Sequence, residues 1–177
     1  MMLTVGNKVV YPSHGPCRIG AVVMKELHGR KTSFYSLVVM DGSGLVLFVP
    51  VEKAEALGIR RLMEKSELLK LLRRIRQVND AAMAPNTVTN WKRRAMDNSA
   101  LLASGSAADL AKLIGSLTEL NTTKTLPPRE RQVLDDARKK LICEISVVMG
   151  ESKSAAQEQL DQALKSGRAD KELGEER

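Results

Sequence analysis

Six consecutive residues combine the side chains best suited to binding chemistry: Thr89, Asn90, Trp91, Lys92, Arg93 and Arg94. They hold the chain's single tryptophan, three cations directly after it, and a helix start, because Thr and Asn are good N-caps. A helix N-terminus offers free N–H groups and a partial positive charge, and both favour phosphate. Three cations in a row cover most directions around a first helical turn, so some must face solvent. Phosphate contacts of this kind fix position without reading sequence. An indole beside them could stack on a base or wedge between base steps. A structural reading competes with this one. Trp91, Ala95, Asn98 and Leu102 line up at helical spacing, so the indole is also placed to anchor a helical core.

Catalysis has no comparable support. His14 and His28 lie beside Gly15 and Gly29 at turn signals, and neither has an acid or a nucleophile at a recognised spacing. The chain contains no GxSxG, HExxH, Walker A or GxGxxG pattern. Cys17 and Cys143 stand far apart with no CxxC, which leaves no zinc or redox motif, and each reads as a small core residue. No enzyme activity, metal or cofactor is expected.

Charge agrees with a polyanion partner. The 177 residues carry a net charge of +7, and residues 61–100 hold nine Lys and Arg against four acids. Such a concentration is the electrostatic footprint of a nucleic acid, although basic stretches are often just solvated helix faces. No apolar run approaches a membrane span and the first residues lack the core of a signal peptide, so the chain reads as cytoplasmic.

Two kinds of element must position these residues. Four of the five aromatics (Tyr11, Phe34, Tyr35 and Phe48) fall within residues 1–50, where short apolar runs alternate with turn signals. Strands are expected around Val9–Tyr11, Arg18–Glu26, Ser33–Met40 and Leu45–Val49, with a hairpin at Asp41-Gly42-Ser43-Gly44. That spacing suggests a small barrel or a strongly bent sheet. After residue 60 the period changes to helical. Leu68, Leu71, Leu72 and Ile75 share one face, with Lys70, Arg73 and Arg74 opposite. A second helix should open near Thr89 or Asn90. A third should open at Ser106, with Asp109 in a capping-box position. A fourth is expected from Pro127 and Pro128 to Gly150. A last one should run over about 153–166 and stop at Gly167, leaving a polar, disordered tail at 167–177. The fold class is therefore α+β in two modules, a small β module followed by an all-α module.

Three stretches add a family to this reading: VGNKVVYPSHG (5–15), FVPVEKAEALGIR (48–60), and TNWKRR (89–94) with LASG (102–105). Together they resemble the CarD/CdnL family of bacterial transcription regulators, in register over about residues 3–165. The resemblance implies a Tudor-like β-barrel at 1–58 that docks on the RNA polymerase β subunit, similar to the polymerase-interaction domain of the transcription-repair coupling factor. It further implies a linker at 59–66 and a helical DNA-binding domain at 67–166. The barrel would add an edge strand to a polymerase strand, and the helical module would meet promoter DNA at the upstream edge of the transcription bubble, with Trp91 wedged in the minor groove. Trp91, Arg93 and Arg94 match the family's DNA-contacting positions, and Lys92 completes the basic run. Arg131 stands where relatives have another basic contact, and Arg138 follows two turns later on the same side. Met96 replaces a lysine of some relatives. On the polymerase side Lys25 matches a basic docking position, and Phe48 stands where a relative has an arginine. The implied function is non-catalytic stabilisation of the open promoter complex by a monomer that meets the nucleoid through polymerase. Two other readings are an adaptor whose helical module recruits another protein, and a nucleoid-type DNA-binding protein with no polymerase contact.

Overall fold

A computed structural model describes residues 3–27, 29–78 and 91–174. The chain divides into two compact units, Met1–Leu62 and Met63–Arg177.

The first unit is an antiparallel sheet of β1 (Lys8–Tyr11), β2 (Gly15–Leu27), β3 (Arg30–Val39), β4 (Val46–Pro50) and β5 (Arg60–Arg61). Spatial order is β4-β3-β2-β1-β5. Strand alternation puts Val9, Cys17, Ile19 and Leu37 into a core where each is fully buried, closed by Tyr35, Val39, Val49 and Ile59. The Tyr35 hydroxyl donates to the Leu3 carbonyl at 3.2 Å, so the polar end of a buried ring is satisfied. The expected hairpin at 41–44 forms, joining β3 to β4. Gly42 and Gly44 have φ of +92° and +71°, and Ser43 N donates to Asp41 Oδ1 at 2.8 Å.

The barrel implied by the family resemblance is not closed in the described residues. The sheet is open, with β4 and β5 at its two edges. A register shift between Ile19 and Ala21 interrupts the β2–β3 ladder, as a bulge that coils a sheet does. Still, β5 has only two residues and both pair with β1, leaving no strand to complete a ring. The same strand lies within the expected linker. Residues 59–61 belong to the sheet unit because the turn at Gly58 returns Ile59 to the core.

The second unit holds α1 (Lys65–Val78), α2 (Trp91–Ser104), α3 (Ala107–Thr123), α4 (Pro128–Met149) and α5 (Lys153–Gly174). Its core takes Leu68, Leu72 and Ile75 from the α1 stripe read in the sequence, together with Leu110, Leu113, Ile114 and Leu117 of α3 and Leu141 and Ile145 of α4. Lys70, Arg73 and Arg74 face solvent. Two of the expected caps, Ser106 and Gly150, are present, the first with one change. Ser106 Oγ accepts from Asp109 N, but Ser106 N donates to Ser104 Oγ rather than to the aspartate, so only half a capping box forms. Gly150 ends α4 at φ +71°, ψ +34°. The N-cap expected at Thr89 or Asn90 lies outside the described residues, as does His28. Helix α5 runs past Gly167 to Gly174, so the disordered tail expected from 167 is helical over most of its length. One interior glycine costs about 1 kcal/mol against alanine, and Arg168, Ala169, Lys171, Glu172 and Leu173 are good helix formers that outweigh it.

Candidate functional site

In the helical unit the cations gather at two helix starts. Trp91 is described through its backbone, as the first residue of α2. Lys92 and Arg93 follow it and are exposed. Helix α4 begins at Pro128, whose missing N–H does no harm in a first turn, and Arg129 and Arg131 there are exposed too. Lys92 and Arg129 line one open concavity of about 400 Å³ whose other walls are Ala95, Met96 and Ser99. Met96 is 73% exposed and gives this concavity an apolar surface between two cations. Two elements far apart in sequence thus share one basic, apolar-floored surface.

Arg94 and Arg138 do not join it. The Arg94 Nε donates to Glu130 Oε1 at 2.7 Å, tying α2 to α4 in a half-buried setting. Arg138 pairs with Asp161 of α5. It lines a separate concavity with Gln132, Asp135, Lys139, Ile142 and Gln157. At 1.5 Å rise per residue it sits about 14 Å along α4 from Arg129.

In the sheet unit the counterpart is an edge. The Val39 N–H donates to the Leu45 carbonyl at 2.9 Å. In an antiparallel ladder hydrogen-bonded pairs alternate, so residues 45, 47 and 49 turn their backbone groups toward β3. Val46 and Phe48 turn theirs outward, at the open edge. Their side chains share one face and are 43% and 47% exposed. Lys25 Nζ lies 3.5 Å from the Phe48 ring centroid, a cation–π contact between the two residues that the family resemblance proposes for docking. The ring at this edge thus takes its cation from β2.

Comparison with known proteins gives this two-part arrangement a family. Residues 71–161 match the family model of the CarD C-terminal domain, and residues 3–63 match that of the CarD-like/TRCF RID domain. The chain belongs to the CarD family. YdeB of Bacillus subtilis (strain 168), named provisionally as a transcription factor, is 26% identical over 149 residues, which span 84% of this chain and 94% of YdeB. The solution NMR structure of the 72-residue N-terminal domain of Myxococcus xanthus CarD is 40% identical, covering 34% of this chain and 79% of that one, with a TM-score of 0.30. As a CarD protein the chain falls among transcription regulators.

Two motifs of this CarD chain have a structural meaning apart from binding. Gly58 has φ +74°, and a Cβ there would stand 3.1 Å from the Pro12 ring, so VVYPxHG and VPxExAxxxGxR meet at one tight contact. His14 of the first motif stacks on Tyr11, with ring centroids 5.3 Å apart. Reading along the sequence missed Arg129, Glu130 and Val46. The first two are adjacent to a proline start and could have been flagged as helix-start charges. The outward aim of Val46 depends on which residue opens the ladder, and composition carries no signal of that. No described helix is long and apolar enough to cross a membrane, and the described residues contain no cluster of His, Cys, Asp and Glu fit to hold a metal.

Proposed function

We propose that this protein docks on the RNA polymerase β subunit through β4 and stabilises the open promoter complex through the first turns of α2 and α4. The observation that carries the reading is that each unit matches its own CarD-family model and each presents its own exposed surface. An incoming strand would pair with the outward backbone groups of Val46 and Phe48, so that backbone hydrogen bonds supply affinity while Phe48 and Lys25 supply choice. Trp91 would meet unstacked bases at the upstream edge of the bubble, and Lys92, Arg93, Arg129 and Arg131 would hold phosphates. Binding the unwound state better than the duplex shifts the equilibrium toward it. A preference of about 1.4 kcal/mol is a tenfold change in the ratio. The minor-groove code is degenerate, so the protein itself adds little sequence preference. It acts as a monomer and without catalysis.

The test uses purified polymerase and a fork-junction DNA, each titrated with the full chain. The reading expects binding to both, salt-sensitive for the DNA. Polymerase binding without DNA binding would favour the adaptor reading. DNA binding without polymerase binding would favour the nucleoid reading.

A further inference from the structure

We infer that Glu130 is a positioning residue for the nucleic-acid surface, and that Arg94 is its internal partner rather than a phosphate contact. This rests on the reading that the first turns of α2 and α4 bind nucleic acid. The Arg94–Glu130 pair is 2.7 Å long, and its side chains are only 18% and 11% exposed. The second carboxylate oxygen, Glu130 Oε2, is buried with no hydrogen-bond partner. If Arg94 swung out to a phosphate it would strand the whole carboxylate in a low-dielectric site, the most costly way to break a buried pair. A solvent-exposed phosphate contact, weakened by salt, returns less than that. Arg94 therefore stays on Glu130 when DNA is bound.

The position of the pair gives it a role. Glu130 lies between Arg129 and Arg131, both exposed, and Arg94 directly follows Lys92 and Arg93. One ion pair thus joins the two helix turns that carry the exposed cations and sets the spacing between them. A carboxylate in the first turn of α4 is further favoured by the helix dipole. Asn98, one turn beyond Arg94, is also buried, and its Nδ2 has no hydrogen-bond partner. The ion pair ties the first turn of α2 to α4, while Leu101 and Leu102 pack the later turns of α2 against the helical core.

The experiment measures fork-junction DNA affinity of the full chain against salt for wild type, Lys92→Gln, Arg94→Gln, Glu130→Gln and the Arg94→Gln/Glu130→Gln double variant. Lys92→Gln should lower the slope of log K against log salt by about 0.7–0.9, the loss of one phosphate contact. Arg94→Gln and Glu130→Gln should each weaken binding roughly tenfold with the slope unchanged, and the double variant should be no weaker than either single one. Leu141→Ala, a core variant on α4, should lose stability while its folded fraction keeps wild-type affinity, which separates positioning from general destabilisation. Amide hydrogen exchange over residues 95–102 should quicken in both single variants and stay unchanged in α3. A reduced slope for Arg94→Gln together with tighter binding by Glu130→Gln would overturn the inference, and so would unchanged exchange in α2. Wild-type protein that fails to bind the DNA would sink the nucleic-acid reading, while the exchange data would still decide whether the pair holds α2.

Discussion

The sheet unit and the helical unit offer partners different chemistry. At β4 the exposed groups are backbone N–H and C=O of Val46 and Phe48 beside two half-exposed apolar side chains. At the starts of α2 and α4 they are the exposed cations Lys92, Arg93, Arg129 and Arg131, of which Lys92 and Arg129 flank an apolar floor. Backbone pairing with apolar burial responds weakly to salt, whereas phosphate attraction falls steeply with it. A protein built this way should hold one partner at almost any ionic strength and release the other as salt rises. The contrast also shows how little a charge count says about contacts. Arg94 and Arg138 add as much to the basic balance as Arg93 and Arg131, yet each is matched by an acid of a neighbouring helix.

The contrast can be broken most forcefully at the core of one unit. Leu113 is fully buried in α3, and Leu113→Ala should cost the helical unit about 3–5 kcal/mol. Urea unfolding followed by helical circular dichroism should shift, while the tyrosine signal of the sheet unit holds. Loss of both signals together would mean that the units are not independent.

A smaller effect is expected at Gly58. Gly58→Ala combines a positive φ with a 3.1 Å contact on Pro12 and should cost the sheet unit about 1–2 kcal/mol, read from the same tyrosine signal. Next comes the edge itself. Val46→Pro removes an outward N–H and leaves the β3 ladder intact, so polymerase docking should weaken about tenfold without unfolding. Leu47→Pro, whose N–H faces β3, should instead unfold the sheet, and the pair of variants sharpens the assignment of the docking edge. The smallest effects separate the arginines. Arg131→Gln should lower the DNA salt slope by about 0.7–0.9. Arg138→Gln should leave the slope alone and change stability by less than about 1 kcal/mol, since its ion pair with Asp161 is partly exposed.

Much of this architecture can be read from local chemistry. The hairpin glycines at 42 and 44, Ser106, Pro128 and Gly150 stop and start elements by their own backbone preferences, and the structure uses each of them so. The leucine stripe of α1 points inward for the same local reason. Features set by distant partners were not legible. Strand β5 exists because Arg60 and Arg61 pair with Val10 and Val9, about fifty residues earlier, in a segment too short to show a period. Whether the sheet closes depends on where its two edges come to lie, which no single strand determines. Arg94 reads as an exposed cation until Glu130, 36 residues on, comes up beside it. Basic character at the site was therefore legible, but not its division into exposed cations and internal struts.

In the proposed function, two separate surfaces of one chain act together on an open promoter complex. The lifetime of that complex after competitor challenge tests it directly, with wild type, Trp91→Ala, Val46→Pro and no added protein. A longer lifetime is expected with wild type alone, with Trp91→Ala still binding polymerase and Val46→Pro still binding fork-junction DNA. Equal lengthening by wild type and both variants would contradict it.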